Sequence, residues 1–163
     1  MEYAVIFLPL FGAIAGYLSK YFGDTASQLF TTLSVCLSAV LSIAIFYNGI
    51  TLGSYGNYLI YEWITSGDFQ VSWSINIDPL SSIMLVVVTL VSALVHIYSI
   101  GYMNHDPSKP RFMSYLSLFT FFMLALVVSD NFLQLFFGWE GVGLSSYLLI
   151  GFWYKKDSAN KAA

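Results

Sequence analysis

The sequence predicts an all-α polytopic membrane protein of about five transmembrane helices, with one short β-hairpin on the outer side between helices 2 and 3. Three observations predict it. Of 163 residues, 58% are hydrophobic and only 9% charged, whereas a soluble domain carries roughly 25% charge. The apolar residues gather into five runs separated by short polar breaks. Between the second and third runs the apolar spacing changes to a period of two, which belongs to a strand.

The first run, 3–19, lies between Glu2 and Lys20 and is near the lower limit of roughly 17 residues for a span. No basic segment precedes it and no convincing small-x-small site follows, so it does not read as a cleavable signal. The second run is 27–49. The third opens at Asp78-Pro79, where Asp supplies an N-cap oxygen and Pro a pre-set φ, and it extends over 79–101. The fourth covers 112–129 and the fifth 130–151. The link Ser129-Asp130-Asn131 is so short that these two form an antiparallel pair. The whole of 1–163 reads as a single membrane domain.

In the period-two stretch Phe69, Val71, Trp73, Ile75 and Ile77 alternate with Gln70, Ser72, Ser74 and Asn76. That is the pattern of a half-buried strand. Residues 59–64 are its expected partner and Ser66-Gly67-Asp68 the turn, giving a hairpin over about 59–77. Cutting the chain at these breaks puts Lys20, Lys109, Arg111, Lys155, Lys156 and Lys161, all six basic residues, on one side. Glu2, Glu62, Asp68, Asp78 and Asp130 fall on the other. Basic residues mark the cytoplasmic or matrix face, so the N-terminus and the hairpin are expected outside.

The residue with the clearest chemical promise is Glu140. It stands at the centre of the fifth run, roughly 15 Å from either end at 1.5 Å per residue, near the midplane of a ~30 Å hydrocarbon core. A carboxylate there costs on the order of 2.5–3.5 kcal/mol to insert. Gly138, Gly141 and Ser145 form a small-residue face for close helix contact. Glu140 is therefore expected to face protein or water, and to take up a proton from one side and release it to the other. The competing reading is a structural carboxyl hydrogen-bonded between helices. His96, about five residues before the inner end of the third span, could relay protons, since an imidazole ordinarily titrates near pH ~6.5. Taken alone, an interhelical hydrogen bond explains it as well. His105 reads as a solvated loop residue, and the single Cys36 has no disulfide partner within the chain.

Other chemistries are absent from the pattern. There is no Gly-rich phosphate loop, no Cys/His cluster with metal spacing and no nucleophile elbow. The basic residues are too few for nucleic-acid binding. The chain is thus expected to hold no metal, nucleotide or redox cofactor. His96 and His105 are nine residues apart with Gly101 between them, so they cannot face one another as haem ligands.

The runs SWSINIDPLSSIM, HIYSIGYM and NFLQLFFGWEGVGLSSYLLIGFWY resemble the largest antiporter-like membrane subunit of respiratory complex I, the chain 5 or bacterial L family of NADH–quinone oxidoreductase. The resemblance covers nearly the whole chain and is strongest from Trp73 to Lys156. It implies proton translocation driven by electron transfer from NADH to quinone. NADH, FMN, the iron–sulfur clusters and the quinone would all be held by partner subunits. It implies as partners the other membrane-arm subunits of complex I and the lipid bilayer, and as location a bacterial plasma (inner) membrane or, alternatively, a mitochondrial inner membrane. In that family the glutamate matching Glu140 is the input carboxylate of a buried proton relay, coupled to a lysine on a later interrupted helix. The histidine matching His96 lies near the relay. Family members are several times longer, so the chain reads as an N-terminal fragment or the product of a truncated gene, not catalytic on its own. The alternative within the same fold is the large subunit of a multisubunit sodium/proton antiporter, which has no coupling to NADH. A purely structural membrane subunit is the competing class.

Overall fold

In the computed structural model, residues 1–19, 23–67 and 69–163 are described, all but Asp24 with their side chains. They form α1 (Glu2–Leu18), α2 (Asp24–Leu52), β1 (Gly56–Ser66), β2 (Phe69–Ile77), α3 (Pro79–Tyr102), α4 (Lys109–Val127), α5 (Phe132–Ile150) and a short α6 (Asp157–Ala162). By length and composition α2, α3 and α4 can cross a membrane. α1 is apolar but has only 17 residues. α5 has 19 residues and carries Gln134 and Glu140. The bundle is centred on α4, against which α1, α2, α3 and α5 all pack.

Several ends differ from the expected ones, each for a local reason. α4 starts at Lys109 because Pro110 falls in its first turn, where a missing N–H leaves no bond unmade. α5 starts at Phe132 because Asn131 is its N-cap, its side chain accepting from the Gln134 N–H at 2.9 Å. α2 continues to Leu52 and stops at Gly53, whose φ of 64° is left-handed, as helix ends favour. α6 is an additional element. At α3 the expected cap is present and doubled. Asp78 accepts from the Ser81 N–H at 2.6 Å, and the Ser81 hydroxyl accepts from the Asp78 N–H at 2.8 Å, a capping box. The first of these bonds is also what holds the Asp78 carboxyl below the usual carboxylate range.

α1 and α2 meet through a substitution of one hydrogen bond for another. Pro9 lies inside α1 and has no N–H for the carbonyl four residues back. That carbonyl belongs to Val5, and the Ser38 hydroxyl of α2 donates to it. Val5 and Ser38 are both fully buried, so the bond cannot be replaced by water.

The hairpin is antiparallel, with Ser66 opposite Phe69 and Gly56 opposite Ile77. Gly67 in the turn has φ 58°, a conformation open to glycine at little cost. Register shifts between Leu59 and Tyr61 and between Glu62 and Ile64 leave Ile60 and Trp63 as extra residues on β1, bulges that bend the strand. Val71, Ile75 and Ile77 are buried, as the alternation requires, whereas Trp73 is half-buried and Phe69, next to the turn, is exposed. Ser74, on the opposite parity, is buried too. The reason is the α4–α5 link, which runs beside β2: the Asn76 N–H donates to the Val128 carbonyl at 2.9 Å, and Ile75 bridges Ser129.

The molecule thus has two unlike ends. At the hairpin end are the start of α1, where the Tyr3 hydroxyl donates to the Leu59 carbonyl, and the α4–α5 link. At the basic end are the α3–α4 loop, the start of α4, the end of α5 and α6, with Lys109, Arg111, Lys155, Lys156 and Lys161. The positions of Lys20 and Asp68 lie outside the described residues.

Candidate functional site

α5 is oriented by two sets of contacts. The first is its small-residue face. A Cβ placed on Gly138 would lie 2.7–2.8 Å from Leu126 backbone and Cβ atoms, and one on Gly141 would enter the Phe122 ring. Gly138, Gly141 and Ser145 are accordingly buried against α4. The second set docks the hairpin. Gln134 is 1% exposed; its amide donates to the Ser74 carbonyl at 2.8 Å, and its carbonyl oxygen accepts from the Ser74 N–H at 3.2 Å. The Ser74 hydroxyl donates to Asp130 at 3.0 Å, and the Asn131 amide donates to the Ser72 carbonyl at 2.7 Å. Beside these bonds a run of rings passes from Trp63 to Trp73 (5.3 Å), Phe137 (4.7 Å) and Phe122 (5.7 Å). Nothing in the composition of this link singled out Gln134 or Ser74, because the two are 60 residues apart.

Glu140 lies eight residues into α5, about 12 Å along the helix at 1.5 Å per residue, on neither the buried face nor the docking edge. At 100° per residue it is roughly 130° around the helix from the centre of the Gly138/Gly141/Ser145 face. It is exposed, next to exposed Trp139 and one turn from exposed Phe136 and Leu144. Its carboxyl has no hydrogen-bond or ion-pair partner among the described residues. The sequence leads one to expect that Glu140 faces protein or water; among the described residues no protein covers it, because the small-residue face takes the contact with α4 and turns Glu140 outward.

His96 is the opposite case. It is fully buried between α3 and α4. Its Nδ1 lies 2.8 Å from the Ser92 carbonyl and its Nε2 3.0 Å from the Ser117 hydroxyl. A carbonyl only accepts, so Nδ1 carries the proton and Nε2 accepts from Ser117. One turn away the Ser92 and Thr120 hydroxyls bond to each other, and further along the Ser42 hydroxyl of α2 lies 2.7 Å from that of Thr89. A layer of hydroxyls, all buried but the half-buried Ser92, which sequence reading did not find, thus joins α2, α3 and α4. Ser117 and Thr120 face α3, while Phe122 and Leu126 face α5 from about the opposite side of α4. Glu140 and His96 are consequently not brought together. His105 is exposed in the α3–α4 loop. No group of three or more His, Cys, Asp or Glu is arranged to hold a metal among the described residues.

Fold and site define the class: a polytopic helical membrane protein with an ionisable residue on one of its helices and a hairpin clasp at one end. Known proteins place the chain more closely. Residues 63–113 match the family described as NADH-Ubiquinone oxidoreductase (complex I), chain 5 N-terminus, and residues 129–163 match the NADH:quinone oxidoreductase/Mrp antiporter transmembrane family. The chain is 53% identical over 165 residues to an NADH-ubiquinone oxidoreductase chain 5 of Arabidopsis thaliana, covering 100% of this chain and 24% of that protein. It is 55% identical over 162 residues to a chain 5 of Phytophthora infestans, covering 98% of this chain and 24% of that protein. To an NADH-quinone oxidoreductase subunit L of Rickettsia felis it is 54% identical over 160 residues, covering 98% and 25%. The chain belongs to the complex I chain 5 family and corresponds to its N-terminal part. It spans about a quarter of the length of these relatives.

Proposed function

We infer that this chain forms part of a proton-translocating membrane-arm subunit of NADH–quinone oxidoreductase, and that Glu140 is the residue through which it exchanges protons. The observation that carries the reading is the state of Glu140. It is a carboxylate on an apolar helix, turned out of the bundle, with no partner among the described residues. Left against lipid it is costly, so a counter-surface outside these residues would cover it. A cation on that surface would favour the charged carboxylate, and moving that cation away would favour protonation. This is the elementary step of a relay: proton loss when the cation approaches, proton uptake when it withdraws. The resemblance supplies a lysine of the full-length subunit for this role. Electron transfer, with NADH, FMN, iron–sulfur clusters and quinone, belongs in this reading to partner subunits. The basic end then faces the cytoplasm or matrix, in a bacterial plasma membrane or a mitochondrial inner membrane.

His96 enters the proposal as a second candidate. Its ring already serves as a fastener between α3 and α4, with both nitrogens engaged. To relay a proton it must take it through the Ser117 hydroxyl or free Nε2 from that bond. The experiment is made in the full parent complex in sealed vesicles, following NADH-driven quinone reduction and proton uptake together. NADH oxidation by an artificial acceptor is the assembly control. With Glu140→Gln, quinone reduction and pumping fall together while the control holds. Retained pumping refutes the role of Glu140. Ion movement that ignores NADH in the wild-type complex gives the sodium/proton antiporter reading instead. His96→Gln, which can still bond Ser117, separates fastening from relay: retained pumping assigns His96 to packing.

A further inference from the structure

The basic end holds a site that the proton-exchange reading does not use. Between the first turns of α4 and the end of α5 is a half-open cleft of about 320 Å³, lined by Arg111, Tyr115, Tyr147, Phe152 and Asn160 among others. Arg111 is only partly satisfied there. Its Nη2 donates to the Phe152 carbonyl at 3.2 Å, and its guanidinium sits 4.7 Å from the Phe152 ring centroid and 5.4 Å from that of Tyr154. Its buried Nε has no partner, and no carboxylate lies within ion-pair distance of it among the described residues. The acid that acts on it through space, Asp106, is committed to the Trp153 indole N–H at 2.9 Å and the Ser108 N–H at 2.7 Å. The Tyr115 and Tyr147 hydroxyls have no hydrogen-bond partner among the described residues. Among the described side chains the same end carries Lys109, Lys155, Lys156 and Lys161 against the acids Asp106 and Asp157. A cleft with a part-buried guanidinium, free phenols and surplus positive charge is built for a phosphate.

A second, separate feature says what carries the phosphate. An apolar groove of about 290 Å³ lies between α1 and α4, lined by Ala13, Ile14, Leu18, Tyr115 and Leu118 among others. Tyr115 belongs to both the cleft and the groove. Arg111, Tyr115 and Leu118 follow one stripe of α4 at i, i+4 and i+7, about 10 Å along the axis, well within one leaflet of a ~30 Å core. Charge at the interface thus runs directly into an apolar groove that can take the first methylenes of an acyl chain. We propose that this is a binding site for an anionic glycerophospholipid of the basic-side leaflet. Its phosphate lies on Arg111 and Tyr115, and one acyl chain lies along the α1–α4 groove. Basic pockets between membrane helices on the positive side recognise anionic head groups in this way. A free phosphate would use the cleft alone and leave the groove empty. The inference stands independently of the role of Glu140.

The test uses the full-length protein in its assembled complex, placed in phosphatidylcholine nanodiscs. The probe is phosphatidylglycerol with a diazirine in one acyl chain, and labelled residues are mapped by peptide mass spectrometry. Labelling is expected at groove residues such as Ile14 and Leu118. It should fall about ten-fold in Arg111→Gln, the loss of one charge-assisted phosphate contact, and persist in Arg111→Lys. Excess inorganic phosphate should not displace it; displacement would mean a free-anion site and overturn the proposal. Equal labelling by the matching phosphatidylcholine probe would overturn it as well, as would labelling unchanged in Arg111→Gln. If Arg111→Gln fails to assemble, the wild-type comparison of the two probes decides alone.

Discussion

Gly138→Ala tests the contact that aims α5, and its effect can be worked from the structure. The new methyl would lie 2.7 Å from the Leu126 Cα and 2.8 Å from its N and Cβ. Carbon atoms at rest sit about 3.5–4.0 Å apart, so α5 must retreat by about 1 Å. The obstructing atoms are mostly backbone, which no rotamer change can remove. Overpacking of this kind costs about 1–3 kcal/mol. Against it stands the better helix propensity of Ala, worth up to ~1 kcal/mol in an exposed helix. Gly143→Ala on the same helix isolates the clash, because nothing lies within 4 Å of its Cβ position. The two variants share the propensity gain and differ by the contact alone. The expected difference is about 1–3 kcal/mol, or roughly 5- to 150-fold in the unfolding equilibrium. The assay is reversible denaturant unfolding of the full-length protein in bicelles, with both variants on one scale. Equal stabilities, or Gly138→Ala the more stable, would refute the close α4–α5 contact and with it the outward aim of Glu140.

Other outcomes follow from the same geometry. Gln134→Met keeps the volume but strands the Ser74 N–H and carbonyl, each at about 1–3 kcal/mol; faster hydrogen exchange at Ser74 and Asn76 than in wild type would report the hairpin lifting from the α4–α5 link. Ser38→Ala leaves the Val5 carbonyl without a donor, because Pro9 cannot supply one, and should cost about 1–3 kcal/mol; the double variant with Pro9→Ala should recover most of it in the same unfolding assay. Asp106 is held below the usual carboxylate range, first by the Trp153 indole N–H. A lowered folded value means that its contribution is whole above the ordinary value of ~3.9 and is lost as pH falls through the lower folded value. The indole N–H signature of Trp153 by resonance Raman should therefore hold from neutral pH down to about pH 4 and change only below it, and Trp153→Phe should move the Asp106 titration upward.

What could be read in the chain, and what could not, divides along sequence distance. The membrane runs showed through apolar composition, the hairpin through the alternation from Phe69 to Ile77, and the start of α3 through Asp78-Pro79, since each signal is complete within a few residues. The Gln134–Ser74 clasp joins residues 60 apart, and the donation from Ser38 to Val5 spans 33. Neither partner announces the other. The hydroxyl layer of Ser42, Thr89, Ser92, Thr120 and Ser117 was hidden for a related reason: Ser and Thr in a span satisfy their own helix carbonyls equally well, so only packing shows which of them cross to a neighbour. The instructive case is Glu140. Its small neighbours mark a packing face, but a helix that carries such a face commits it to one partner and presents the remaining arc elsewhere. Gly138 and Gly141 admit Leu126 and Phe122, and that same admission sends Glu140 to the far side of α5. The face therefore fixes the direction of the carboxylate without burying it. The role proposed for Glu140 draws on this arrangement, because a rigid helix holds the carboxyl in place and leaves it open to whatever surface meets that side of α5.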